Sequence, residues 1–257
     1  VGPEHYEEYC RLFGFDYVFR IFNDKGQPTY ETFKPGMKLP DGYSILPFFP
    51  GYKYSYGKSS YMDVSEVGEG GRVEAEYGMY GAVALLDVAS MHPHSIIAEC
   101  LFGPKFTKAF TSIVEGRVSI KHSAWDEVNH ILGGKLTTHI QKIRDEIDKD
   151  RADRMTESLA NALKTAINSV YGLTAAKFDN PFRDPRNVDN IVAKRGALFM
   201  INLADEVRKQ GFKVAHIKTD SIKIPDATLE IIKFVQDYGK EYGYTFEHEA
   251  TYDRMCL

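Results

Sequence analysis

The sequence predicts an α+β fold: an antiparallel sheet of split βαβ type, interrupted by a long helical segment. Three observations predict it. An apolar run, Gly81–Leu86, ends in Asp87 and gives way to a turn marked by Pro93, the pattern of a buried strand running into a helix. The last third alternates strand-like and helix-like stretches around a tight turn at Thr219-Asp220. Between these regions lies an insertion, 103–180, whose residues 103–155 are polar and charged with helical stretches and whose later part carries an amphipathic helix.

Taken in order, residues 1–80 are rich in Tyr, Phe, Gly and Pro, which suits short strands and turns. Gly68-Glu69-Gly70-Gly71 reads as a flexible turn leading into Arg72–Ala75. The strand ending at Asp87 precedes a helix expected from about Ser95 to Leu101. Helical stretches follow near 124–132 and 137–149, separated by Gly133-Gly134. Leu159, Leu163, Ile167 and Val170 then recur at helical spacing over about Thr156–Tyr171, and a further helix spans about Val188–Gln210. Strands at Lys213–Ile217 and Ser221–Ile224, a helix over Thr228–Tyr242 and a strand over Tyr244–Glu249 complete the reading. With 103–180 set aside, the order is β-α-β-β-α-β, a ferredoxin-like arrangement with helices on one face of the sheet. It puts Asp87 at the end of the first strand and Asp220 at the tip of the hairpin. The two acids then meet on adjacent central strands.

The chain has 257 residues, 43% of them hydrophobic, which is enough to bury a core. It contains no run of 18 apolar residues, so no membrane-spanning helix is expected. Glu4, Glu7, Glu8 and Asp16 are foreign to a secretory signal. Cys10, Cys100 and Cys256 lie far apart without C-x-x-C spacing, which sets aside a disulfide framework and suits a reducing, cytoplasmic setting. The net charge of −4 does not exclude a nucleic-acid binder, because 32 basic residues can still line one groove.

Three stretches carry chemistry. Paired carboxylates about 4 Å apart repel by about 4 kcal/mol at an effective dielectric near 20, and divalent cations relieve that cost. Asp87 and Asp220 are expected to form such a pair. After Asp87, the turn through Ser90, Met91 and His92 into a helix exposes backbone N–H groups, a cradle for phosphates. Lys164, Asn168 and Tyr171 lie at i, i+4 and i+7 in K-T-A-I-N-S-V-Y-G and share one helical face beside the apolar stripe. A lysine there would meet phosphate as a point charge, and a tyrosine ring would pack beside a base pair.

Together and in this order, the stretches resemble the motifs of family B DNA polymerases: D-x-x-S-L-Y-P-S, K-x-x-x-N-S-x-Y-G and Y-x-D-T-D-S. The resemblance covers about residues 68–252, and the middle motif is the most specific. Glu69-Gly70-Gly71-Arg72-Val73 is similar to the glycine-rich linker before the first motif, and Phe246–Tyr252 to the acidic strand after the third. The resemblance implies template-directed DNA synthesis from dNTPs on a primer-template DNA, with two magnesium ions and manganese as an alternative. It implies that Asp87, Asp220 and the carbonyl of Val88 hold metal, and that Ser90, Met91 and His92 contact the incoming triphosphate. Lys164 would sit on the phosphates, with Asn168 and Tyr171 around the nascent pair. DNA contacts fall to Gly70, Gly71, Gly172 and Thr219. Lys142, Arg144 and Arg154 are further candidates for the triphosphate tail. The implied domains are a pre-palm region at 1–80, palm at 81–102 and 181–257, and fingers at 103–180. So short a fingers segment resembles compact polymerases of phages or related mobile elements, which implies the host cell cytoplasm.

Two departures stand out. Lys218 replaces the first acid of D-T-D, and His92 replaces the tyrosine that packs against the sugar and excludes ribonucleotides. A second reading, a degenerate module that binds nucleic acid or scaffolds without catalysis, draws on those two positions. Joint retention of Asp87, Lys164 and Asp220 argues against it. A third reading, an RNA polymerase or reverse transcriptase palm, is disfavoured by the K-x-x-x-N-S-x-Y-G helix. The chain is expected to be part of a longer polymerase, with the thumb and any exonuclease outside it, and to hold primer-template weakly alone.

Overall fold

The computed structural model describes residues 18–22, 28–32, 52–55, 58–61, 65–66, 71–128, 131–176, 178, 180–182 and 191–257. Gly70 and most of the expected turn at 68–71 lie outside them. Near the N-terminus, β1 (Val18–Phe22) and β2 (Pro28–Thr32) form a hairpin, and β3 (Tyr52–Ser55), β4 (Lys58–Tyr61) and β5 (Ser65–Glu66) a three-stranded sheet.

The main sheet is built from β6 (Val73–Ala75), β7 (Met79–Val88), β8 (His216–Lys218), β9 (Ser221–Ile224) and β10 (Phe246–Cys256). Its spatial order is β10-β7-β9-β8-β6, and every pairing is antiparallel. The chain is therefore α+β, as expected. Six α-helices are described: α1 (Met91–Ala98), α2 (Gly103–Lys121), α3 (Thr137–Arg144), α4 (Lys149–Thr174), α5 (Ile191–Lys209) and α6 (Leu229–Glu241). None is long and apolar enough to cross a membrane.

Alternation along β7 decides what the sheet presents to each side. Ala84, Leu86 and Val88 enter a core shared with Ile217, Ile222 and Ile224 of the hairpin and with Phe199, Leu203 and Val207 of α5. Asp87 points to the opposite face by the period of two. A fully buried leucine such as Leu86 stabilises by about 1.5–3 kcal/mol, and several such side chains fix the register that aims Asp87 outward.

The expected bounds shift in several places: the helix expected over 137–149 ends at Arg144, α4 begins at Lys149 and not near Thr156, and β10 runs on past Glu249 to Cys256. The first helix begins at Met91, not Ser95, because Ser90 in the left-handed region (φ 56°) turns the chain straight from β7 into α1. The stretch after residue 102 forms the 19-residue α2, and the helix expected near 124–132 reduces to short 3-10 turns at Trp125–Glu127 and Ile131–Gly134. Gly116 explains the arrangement: a Cβ there would overlap the Ile131 side chain, so its absence lets the 3-10 turn close on α2. Ile120, Val128, Ile131, Ile140, Ala160 and Leu163 form a second, smaller core that binds α2, α3 and α4 together.

A buried polar network anchors α1. Arg195 on α5 pairs with Glu99 at 3.1 Å and donates to the Tyr242 carbonyl at 2.9 Å and to the Tyr244 hydroxyl. That hydroxyl also meets Ser95 Oγ at 2.6 Å, and Ser95 in turn donates to the Met91 carbonyl in the first turn of α1. Truncating one member of the Arg195–Glu99 pair would strand a buried charge at about 3–5 kcal/mol.

Candidate active site

The end of β7, the start of α1 and the β8–β9 hairpin meet at one point. The Val88 N–H donates to the Asp220 carbonyl at 2.8 Å, locking the hairpin tip against the strand end. Asp87 lies opposite Ser221 on one side and Glu247 on the other. Glu249 is the residue skipped where the register shifts between His248 and Ala250, and this bulge turns a fourth acid toward the same space. Thr219, a β-branched residue at φ 54°, occupies the left-handed region at a cost of order 1–3 kcal/mol, and this turn presents Asp220. Gly71 packs on it so closely that a Cβ would overlap the Thr219 side chain.

These elements wall a cavity of about 260 Å³. Asp87, Val88 and Asp220 form its floor, Ser90, Met91 and His92 one side, and Lys164, Asn168 and Tyr171 of α4 another. Nine of the sequence-predicted residues thus come together. On α4, Leu163 and Ile167 are buried while Lys164 and Asn168 are exposed, so the apolar stripe packs and the polar face looks into the cavity. The His92 and Tyr171 rings stack with centroids 5.0 Å apart and planes within 5°.

Other candidates lie elsewhere. Arg144 is exposed and pairs with Asp126 at 3.5 Å. Arg154 lines a separate groove with His139 and Arg151; ten residues before Lys164 on one helix, it stands about 15 Å away along the axis. Neither borders this cavity, nor does Lys142, because helix phase and length carry them off. Gly172 follows Tyr171 on α4 with open space around it, and Gly71 and Thr219 sit behind the floor, not on its lining.

The cavity also contains residues that sequence reasoning missed: Arg117, Lys121, Glu247 and Glu249. Arg117 donates to Ser90 Oγ at 3.1 Å, and Lys121 lies 3.6 Å from Glu247. The signal for the first two is their i, i+4 spacing, visible once α2 is recognised as a helix. Glu247 and Glu249 stand in the acidic stretch already noted, but their inward aim depends on register.

The electrostatics are divided. Acids line the strand side and cations the helix side. Burial pushes the Asp87 carboxyl up to about 7, with Asp220, Glu249 and Glu247 adding to the rise and Lys121 opposing it. Burial pushes the His92 imidazole down against the pull of Asp220, so it is neutral at pH 7. His92 Nδ1 and Arg117 Nε are shut off from solvent without a hydrogen-bond partner among the described residues. Lys164 has no ion-pair partner among them either.

Among the described residues no group of three or more His, Cys, Asp or Glu is arranged to hold a metal ion by itself. Asp87 and Asp220, with Glu247 and Glu249 nearby, are the described residues that could take up a magnesium ion, which keeps most of its waters and takes one or two carboxylates plus substrate phosphates. Asp220, Glu249 and Glu247 add to the burial that raises the Asp87 pKa, and a bound cation would oppose that rise as Lys121 does.

No protein-family model matches the chain, and no curated protein does. Among solved structures, the chain is similar to the family B DNA polymerase from the hyperthermophilic archaeon Pyrobaculum calidifontis, at a TM-score of 0.46 and 15% identity. The match covers 73% of this chain and 26% of that one, so the chain spans about a quarter of that polymerase's length. The likeness is distant, and the functional reading rests on the cavity's own residues.

Proposed function

We propose that the cavity is the active site of a DNA polymerase that adds a deoxynucleotide to a primer 3′-hydroxyl under template direction and releases pyrophosphate. The observation that carries this reading is the meeting of an acidic floor and a basic wall in one cavity, drawn from three stretches far apart in sequence. A metal–triphosphate is one ligand that satisfies both sides.

In this reading Asp87 and Asp220, with the Val88 carbonyl, hold two magnesium ions, or manganese in their place. Ions bound there would stabilise the attacking and leaving oxygens of an in-line displacement. The rest is the work of this chain's side chains. Lys164, Arg117 and Lys121 supply positive charge where the β- and γ-phosphates develop negative charge, and positioning takes the place of covalent catalysis. The turn through Ser90 and Met91 offers backbone N–H groups to the phosphates, while His92 and Tyr171 form a flat wall against the sugar and base. The strand order β10-β7-β9-β8 supports a palm of split βαβ type at 81–102 and 181–257, with 103–180 as fingers. The motif order supports family B, and the short fingers segment a phage or related element.

Calorimetric titration tests the site. A dNTP binds the chain in magnesium, and its affinity falls at least tenfold in EDTA or in the Asp87→Asn variant. Equal affinity in all three conditions would remove the metal–triphosphate reading.

A further inference from the structure

Registry across the main sheet places more than the acids on the open face. Because Leu86 and Ile222 face the core, their neighbours Asp87 and Ser221 face away from it, and Ser221 pairs with Lys218. The row across the sheet therefore reads Glu247, Asp87, Ser221, Lys218 and Val73. The adjacent row holds Leu85, Lys223, His216 and Ala75. One face thus passes from acids on β10 and β7 to two ammonium groups on β9 and β8.

Those lysines are not explained by folding. Lysine is a poor strand former, and its usual purpose in a sheet is to guard an edge strand. Here β9 is the central strand of five and β8 is covered by β6. Neither Lys218 nor Lys223 has an ion-pair partner among the described residues, whereas Arg72 and Arg208 close by are both engaged by Glu74. Nor do they serve the acids: the cation that offsets the Asp87 shift is Lys121. The two do reach each other's surroundings, since both, after burial, hold the His216 imidazole below its ordinary pKa.

We propose that Lys218 and Lys223 form a docking strip for the phosphate backbone of the primer–template duplex where it runs across the sheet from the active-site cavity. The proposal rests on the polymerase reading above. It gives the departure at Lys218 a use: beside the acids at the reacting end, two unpaired ammonium groups meet the next phosphates along the backbone.

The test is the salt dependence of duplex binding, followed by fluorescence anisotropy of a labelled primer–template between about 50 and 200 mM NaCl. Each phosphate contact contributes about 0.9 to the slope of log K against log salt. Lys218→Ala and Lys223→Ala should each reduce the slope by about 0.9, and the double variant by about 1.8. Lys218→Arg and Lys223→Arg should keep the wild-type slope, and magnesium–dNTP affinity should not change in any variant. An unchanged slope in the double Ala variant overturns the docking strip while leaving the polymerase reading in place. A wild-type chain with no salt-dependent affinity for the duplex takes both down.

Discussion

Replacing Asp87 by asparagine should make the metal-free protein more stable above neutral pH, although it removes a residue central to the proposed chemistry. The Asp87 carboxyl is held up to about 7 by burial and by Asp220, Glu249 and Glu247, against about 3.9 in an unfolded chain. Between these values the folded state binds more protons than the unfolded one, so stability declines as pH rises from about 4 to about 7 and stays low beyond. The full gap of about 3 units is about 4 kcal/mol, but Asp87 is only half-buried and solvent screening brings the expected effect to about 1–2 kcal/mol. For a chain of this size, that corresponds to about 2–8 °C in melting temperature. Thermal denaturation of both proteins in EDTA, at pH 4.5 and pH 8, reads the difference. The variant should melt higher at pH 8, with the gap nearly closed at pH 4.5. Magnesium should then raise the wild-type melting temperature and leave the variant almost unmoved. A variant that melts at or below wild type at pH 8 in EDTA would refute the argument, since it would mean that the Asp87 charge is compensated in the fold.

The other side chains make distinct predictions. Lys164→Ala should slow nucleotide incorporation by roughly 10²–10³, about 2.7–4 kcal/mol, as for loss of a preorganised donor, with little change in melting temperature; a loss below tenfold in single-turnover kinetics would place this lysine off the phosphates. His92→Ala removes the ring stacked on Tyr171 and should narrow the preference for deoxyribonucleotides over ribonucleotides. Competition between the two sugars reads this directly, and unchanged discrimination would move the gate to another residue.

Much of this site was legible in the sequence because its parts are set by local periodicity. The alternation around Leu86 decides which way Asp87 points, and helical spacing decides that Lys164, Asn168 and Tyr171 share a face. Asp220 is legible from the turn between two apolar strands. What was hidden depends on partners distant in sequence. Gly116 lowers the helical signal of α2, and only its contact with Ile131 accounts for it. With α2 unseen, Arg117 and Lys121 had no face to belong to. Glu247 and Glu249 needed the β10 register and its bulge, which no local pattern announces. Arg144 and Arg154 show the converse: basic residues on suitable helices, carried away from the cavity by length and phase.

Single-nucleotide incorporation tests the central claim most directly. The chain is mixed at high concentration with a labelled primer–template, magnesium and one dNTP at a time, and the wild type is compared with Asp220→Asn. The account predicts that the wild type adds the nucleotide complementary to the template and releases pyrophosphate. Asp220→Asn should fall by roughly 10²–10³ while its far-ultraviolet circular dichroism stays unchanged. Incorporation at a near wild-type rate by Asp220→Asn, or none by the wild-type chain, would contradict it.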